Sequence, residues 1–245
     1  MASKYASDEL FHFVGHSSPN DDNKNYGKLR EVLKSNCISH SPHDGSWGKV
    51  SHTTTWDNRL ETEQLIVPSV TCYADIPFEA LSIHTNKYGK FGVALPRALL
   101  IKYGARPVTY IPMRSDDWQS TNGLTLLRDI EAAVKGFFEQ FVEQQREEEA
   151  RSRTLGKKPS TPEEAISAIH SMLLKDFLAF IKPFNSELPH DHPNNYYMER
   201  EWRKYGNMRF EASQVSRILV ARGYKSQTIS DFPAYEDRVF EIEIG

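Results

Sequence analysis

Cysteine is scarce in this chain of 245 residues: Cys37 and Cys72 are the whole supply. That excludes a disulfide scaffold and a four-thiolate zinc site, and it fits a reducing, cytoplasmic setting. Charge of one sign is not in excess either. Thirty basic residues stand against 33 acidic ones, a formal charge of −3, so no global field draws the protein to nucleic acid or acidic lipid. No apolar run approaches the roughly 18 residues of a membrane-spanning helix. The first residues, Met1 to Glu9, lack the apolar stretch of a signal peptide, so a cytoplasmic protein without membrane attachment is expected. No glycine-rich phosphate loop follows a strand, and no Gly-x-Ser-x-Gly elbow occurs.

What is present is an ordinary globular composition, 39% hydrophobic and 26% charged, in a chain long enough to hide about 73% of its unfolded surface. Leu10–Val14 reads as a strand, with Phe11 and Phe13 on one face and Leu10, His12 and Val14 on the other. Leu29, Val32 and Leu33 predict an amphipathic helix over Tyr26–Lys34. Residues 35–63 are polar and irregular, the pattern of a functional loop. Strands are expected at Leu65–Tyr73, Phe91–Leu95 and Val108–Ile111, with a short helix near Asp75–Leu81 and another over Ala98–Tyr103 that Gly104 stops. Two apolar stripes, Leu124 to Phe141 and Ile166 to Phe180, predict a helical pair inserted at 120–182, with Pro183 ending the second. Segments Tyr197–Tyr205, Ser213–Ala221 and Arg238–Ile244 are strand-like. The expected architecture is a single α+β domain over residues 1–245, in which short mixed or antiparallel strands form two small sheets around a cleft.

The segment richest in chemistry is Tyr196-Tyr197-Met198-Glu199-Arg200-Glu201-Trp202-Arg203. As a strand it places Tyr197, Glu199, Glu201 and Arg203 on one face. Carboxylates at i and i+2 lie about 7 Å apart and can share a cationic partner. Such a pair beside an aromatic suits stabilisation of a sugar oxocarbenium, and it equally suits a surface strand with ion pairs of about 0–1 kcal/mol. His12 is a second candidate, either a satisfied interior histidine or a donor to a ribose hydroxyl. His84 through Val93 is a third: Gly89 and Gly92 bracket a turn where backbone can approach a ligand, and Tyr88 offers a ring and a hydroxyl. His190-Asp191-His192, and the loop histidines His40, His43 and His52, match no metal motif. No metal is therefore assigned, and a metal-dependent hydrolase or nuclease is the least favoured class.

Several of these pieces together resemble the AbiGi-like abortive phage-infection family. They are Leu-Phe-His-Phe-Val-Gly with the Tyr-x-x-Leu-x-x-Val-Leu helix, Tyr73-Ala74-Asp75-Ile76-Pro77, His84 with Tyr88-Gly89-Lys90-Phe91-Gly92-Val93, Pro107-Val108-Thr109-Tyr110, and Tyr-x-Glu-Arg-Glu-Trp-Arg. The resemblance implies the antitoxin half of a two-component phage-defence system and hence a protein partner. The helical pair at 120–182 with its charged extension Glu143–Arg153 is the surface expected to meet that partner. A looser likeness runs to ADP-ribosyltransferase-like folds. It implies NAD as cofactor, with His12 on the nicotinamide ribose and Tyr88 stacked on nicotinamide, beside His84 and Gly89. Glu199 or Glu201 would then orient the ribose and polarise an acceptor, and nucleic acid enters only as such an acceptor. The Ser-Thr-Ser motif of those enzymes is missing, so two readings stand: a transferase of ADP-ribose, or a non-catalytic antitoxin that neutralises its partner by binding.

Overall fold

Alternation along the first strand organises the molecule. In the computed structural model the strands, in chain order, are β1 (Glu9–Phe13), β2 (Cys37–Ile38), β3 (Val70–Ala74), β4 (Gly92–Pro96), β5 (Arg106–Pro107), β6 (Thr109–Met113), β7 (Ile181–Asn185), β8 (Glu201–Tyr205), β9 (Met208–Arg209), β10 (Arg217–Ala221) and β11 (Val239–Ile242). Among the described residues, the helices with both ends given are α1 (Asp22–Ser35), α2 (Ser82–Tyr88), α3 (Arg97–Lys102) and α4 (Lys225–Asp231). The structure describes residues 7–40, 69–113, 177–185, 187–189, 192 and 195–242, together with helical positions 132, 135, 136, 139, 140, 142–144, 146, 147 and 150. The class is α+β, as expected, with short strands. They are distributed as one seven-stranded sheet in the order β11-β10-β4-β1-β3-β8-β5 and two two-stranded ladders, β2-β9 and β6-β7, rather than as two small sheets.

The chain divides into two compact units, one of Met1–Ser51, Ser69–Val108 and Leu188–Gly245, the other of His52–Pro68 and Thr109–Glu187. In the first, β1 is paired on both sides. It runs antiparallel to β4 from Glu9↔Pro96 to Phe13↔Gly92 and to β3 at Phe11↔Ala74. β3 continues antiparallel into β8, from Val70↔Tyr205 to Ala74↔Glu201. Only β10 and β11 run parallel in this sheet, and they need the crossover that α4 and the 3-10 turn Pro233–Arg238 provide.

Both faces of the sheet are covered. Leu10, Tyr73, Val93, Leu95, Ile218 and Val220 pack on one side with Tyr26, Leu29 and Leu33 of α1. Phe11, Ala74, Ala94 and Leu219 pack on the other with Ile76, Leu81 and Ile242. The division of β1 into a Phe11/Phe13 face and a Leu10/His12 face is thus as the sequence reads. α1 begins a turn before the predicted Tyr26, because the Asp21 carboxylate accepts the Lys24 N–H and caps it. It ends at Asn36 in the left-handed region, φ 47°, a role that asparagine fills more readily than most residues. Gly104, φ +85°, follows α3 as predicted.

In the second unit β6 and β7 are parallel, with Ile111↔Pro183 and Pro112↔Phe184 in register. The predicted helix ending at Pro183 is corrected here: Leu178–Phe180 is a 3-10 turn and Pro183 lies inside β7. Proline fits because each strand of a two-stranded ladder has an outer edge that donates nothing to the other. The first predicted helix is represented by the helical positions within 132–150. Most of the second, and Arg151–Arg153 of the charged extension, lie outside the described residues.

Two measurements follow from the packing. A methyl group on Gly15 would lie 2.3 Å from the Tyr88 carbonyl oxygen, and one on Gly92 2.6 Å from that of His12, whereas Gly27 in α1 has nothing within 4 Å. Gly15→Ala and Gly92→Ala are each expected to lower unfolding free energy by about 1–3 kcal/mol, and Gly27→Ala to raise it by about 0.5–1 kcal/mol; urea denaturation reads all three. The Tyr73 phenol, fully buried and bonded to Thr71, is pushed well above the ordinary tyrosine range by desolvation. Above about pH 10 the unfolded chain gives up that proton while the folded chain keeps it, so stability falls as pH rises. Tyr26, Tyr205 and Tyr235 are raised in the same sense by burial, and the buried Lys204 ammonium, lowered by desolvation, acts oppositely. Tyr73→Phe should therefore make the alkaline fall in stability shallower without abolishing it.

Candidate functional site

α2 is a short helix that the sequence shows only as a turn region. Its C-terminus is closed by Gly89, φ +77°, whose N–H reaches the Thr85 carbonyl at 2.9 Å. A side chain on Gly89 would be strained by that φ and would also lie 3.0–3.1 Å from the Asn25 amide nitrogen and the Pro19 carbonyl. His84 and Tyr88, one helical turn apart, face the same way, with ring centroids 6.1 Å apart and planes 27° off parallel. Two more rings lie near-parallel to Tyr88: Phe13 at 6.3 Å and His16 at 5.4 Å. Lys87 places its ammonium 5.2 Å from the Tyr88 ring centroid.

Glu199 completes this cluster. Its Oε1 accepts a bond from the Tyr88 hydroxyl and one from Lys87 Nζ at 2.7 Å, and the residue is nearly buried. The segment that carries it is not the continuous strand predicted over Tyr197–Tyr205. Tyr196–Glu199 is a 3-10 turn, Arg200 is left-handed with φ 46°, and β8 starts only at Glu201. Asn195 causes the break by capping: its side-chain oxygen accepts the Tyr197 N–H, while its amide donates to the Leu188 and Pro189 carbonyls. Glu199 and Glu201 therefore do not share a strand face.

Glu201 instead pairs with Arg203, two positions along β8 and on the same face. Arg203 Nε lies 2.7 Å from Oε1 and the second guanidinium nitrogen 3.3 Å from Oε2. Both residues are 5% exposed or less, and a buried charge persists when it is paired in this way. Through Ala74↔Glu201 and Phe11↔Ala74, Glu201 projects from the Phe11 side of the sheet. His12 projects from the opposite side, its Nδ1 2.9 Å from the Cys72 carbonyl and its ring 5.8 Å from that of Tyr73. A carbonyl only accepts, so Nδ1 carries the proton in this bond.

Of the expected residues, the structure brings together His84, Tyr88, Gly89 and Glu199. It keeps His12 and Glu201 apart. Sequence reasoning missed Phe13, His16 and Lys87 as members of the cluster. The alternation of β1 gives the direction of Phe13, but nothing local shows that α2 would lie over it. Among the described residues no group of three histidine, cysteine or acidic side chains converges as a metal site; His43, His52, His190 and Asp191 lie outside the described residues. Among the described residues, likewise, no helix is long and apolar enough to cross a membrane.

Chemically, the arrangement is a fastening. One carboxylate oxygen, held by an ammonium and a phenol, ties the 195–200 turn to α2, and an adjoining buried ion pair begins β8. Removing one partner of the Glu201–Arg203 pair takes a close counter-charge from the buried other, so Arg203→Met alone is expected to cost about 3–5 kcal/mol. The double variant Glu201→Leu/Arg203→Met should recover most of that loss, read by the urea midpoints of the two proteins.

The chain matches one family model over residues 49–241, described as "Putative abortive phage resistance protein AbiGi, antitoxin". The match takes in α2, the 195–200 turn and β8, while β1 and α1 precede it. No curated protein and no solved structure matches the chain. With most of its length under that one model, the chain belongs to the AbiGi family of abortive phage-resistance proteins.

Proposed function

We propose that this chain is the antitoxin of a two-component abortive-infection pair and acts by binding a toxin protein encoded beside it, not by chemistry on a small substrate. The observation that carries the reading is the state of the two glutamates: Glu199 is held by Lys87 and Tyr88, and Glu201 by Arg203. Carboxylates so neutralised within their own chain serve to fix backbone. The family description as an antitoxin points the same way.

The NAD expectation needs His12 and a late glutamate across one crevice, with the Tyr88 ring available for stacking. His12 leaves the sheet on the face opposite Glu201, and Tyr88 is already bordered by Phe13, His16 and His84. His12 and Glu201 thus do not share a crevice, and Tyr88 gives its hydroxyl to Glu199, which speaks against the cofactor roles that likeness implies.

Co-expression with the product of the adjacent gene tests the reading. The two proteins are expected to co-elute as a complex of fixed stoichiometry, and the complex should relieve the growth arrest that the partner alone imposes. Labelled NAD incubated with the purified protein and cell extract should remain intact. Absence of a complex, or consumption of NAD that depends on this protein, overturns the proposal.

A further inference from the structure

The turn at 195–200 combines two properties that rarely coincide: it is tied down on every side, and it holds large apolar side chains out in water. Tyr197 is 50% exposed and Met198 38%. Asn195 fixes the start of the turn through three hydrogen bonds. Glu199 fixes its end against α2. Arg200 then fixes its exit. Its carbonyl accepts the Asp75 N–H at 3.3 Å, and its guanidinium meets Asp75 Oδ2 at 3.4 Å. A non-glycine residue at φ 46° is strained and persists only where surrounding contacts over-determine it.

The charges around this turn are layered. Asp75 and Glu199 lie underneath, with side chains 5% and 9% exposed, while Arg200 above is 42% exposed. Arg97 reaches the same Asp75 oxygen at 3.7 Å and Lys87 the same Glu199 oxygen, and both present more surface than the acids they meet. Arg97 is shared with the exposed Asp8 at 3.8 Å, so the cations that solvent meets beside Tyr197 and Met198 are Arg200 and Lys87, whose own carboxylates are sunk below them. Tyrosine, methionine and arginine are the residues enriched at interface centres. A turn whose conformation is set in advance loses little entropy on docking.

We infer that Tyr197 and Met198 are the anchor by which this chain grips its protein partner, and that the partner offers an apolar socket ringed by carboxylates. The inference rests on the antitoxin reading and names the surface through which it works. Exposure alone does not single out these two residues, since Ile101 at 52% and Tyr103 at 47% are equally open. Those two lie on and just past the end of α3, and none of the fastenings described here holds them.

The experiment uses the full chain and the co-expressed product of the adjacent gene, with affinity measured by calorimetry. Tyr197→Ala and Met198→Ala are each expected to weaken the complex about tenfold or more, with the folded far-UV circular dichroism spectrum retained because both side chains are exposed. Ile101→Ser/Tyr103→Ser should leave affinity as it is. Arg200→Ser should slow association and reduce its dependence on salt. Full affinity in both Tyr197→Ala and Met198→Ala overturns this surface while leaving the antitoxin reading standing. Association indifferent to salt overturns the acidic rim. Absence of a complex with the wild-type chain overturns both the surface and the reading beneath it.

Discussion

Pairing of β1 on both of its edges is the constraint from which the remaining geometry follows. A strand hydrogen-bonded on either side cannot slip by one residue without turning every side chain to the wrong face. β1 is held in register by β4 along its whole length and by β3 at Phe11. Phe13 must therefore face the side where α2 lies, and His12 must face the other, toward Tyr73. One residue of chain separates a side chain that joins the Tyr88 cluster from one that cannot reach it. The lack of space at Gly15 reinforces this, because the chain leaving β1 passes so close to the Tyr88 carbonyl at the end of α2 that no methyl group fits between them. α2 and the β1–α1 loop are set against each other by backbone, so the rings around Tyr88 are placed before any side chain chooses a rotamer.

Much of this was legible in the residues, and the misses have physical causes. The alternating faces of β1, the apolar stripe of α1 and the stop at Gly104 are local signals that tertiary packing did not override. The segment Tyr196–Arg203 was not legible as it stands, because Tyr-x-Glu-x-Glu-x-Arg is good strand alternation. What breaks it is the Asn195 cap, a visible signal, together with a left-handed arginine, which sequence does not announce. α2 was hidden for another reason: seven residues give too few turns for a periodic stripe. Pro183 reads as a helix stop because proline is usually a stop inside such a pattern, yet a strand with a spare edge accepts it equally well. Ion pairs spanning 112 positions, such as Lys87 with Glu199, leave no trace in local pattern at all.

The two glutamates show how similar sequence contexts acquire different physical roles. Glu201 and Arg203 form a bond within a single strand, at the only spacing that puts two neighbours on one face of a pleat. Their contact is local to β8, and burial is what makes it expensive to break. Glu199 makes its bond across the fold, to a helix more than a hundred residues away in sequence, and so it records where α2 lies. The first pair secures the beginning of β8; the second secures the turn ahead of it.

Between these two fastenings stands Arg200, and its geometry explains why the turn does not relax into an extra residue or two of strand. If β8 continued backward through Arg200, the Glu199 side chain would alternate onto the Glu201 face, and the chain could not also keep Asn195 over the Leu188 and Pro189 carbonyls. The left-handed step at Arg200 closes the 3-10 turn just before the strand begins, and Asp75 holds it by both backbone and side chain. Tyr197 and Met198 are left on the outside as a consequence. Large apolar side chains at the apex of a turn lose the burial that would each contribute about 1.5–3 kcal/mol in a core. Single exposed hydrophobic residues are common on protein surfaces, but two in succession on a turn with three separate anchors form a rigid apolar projection. A projection of that kind gains its burial only when another surface closes over it.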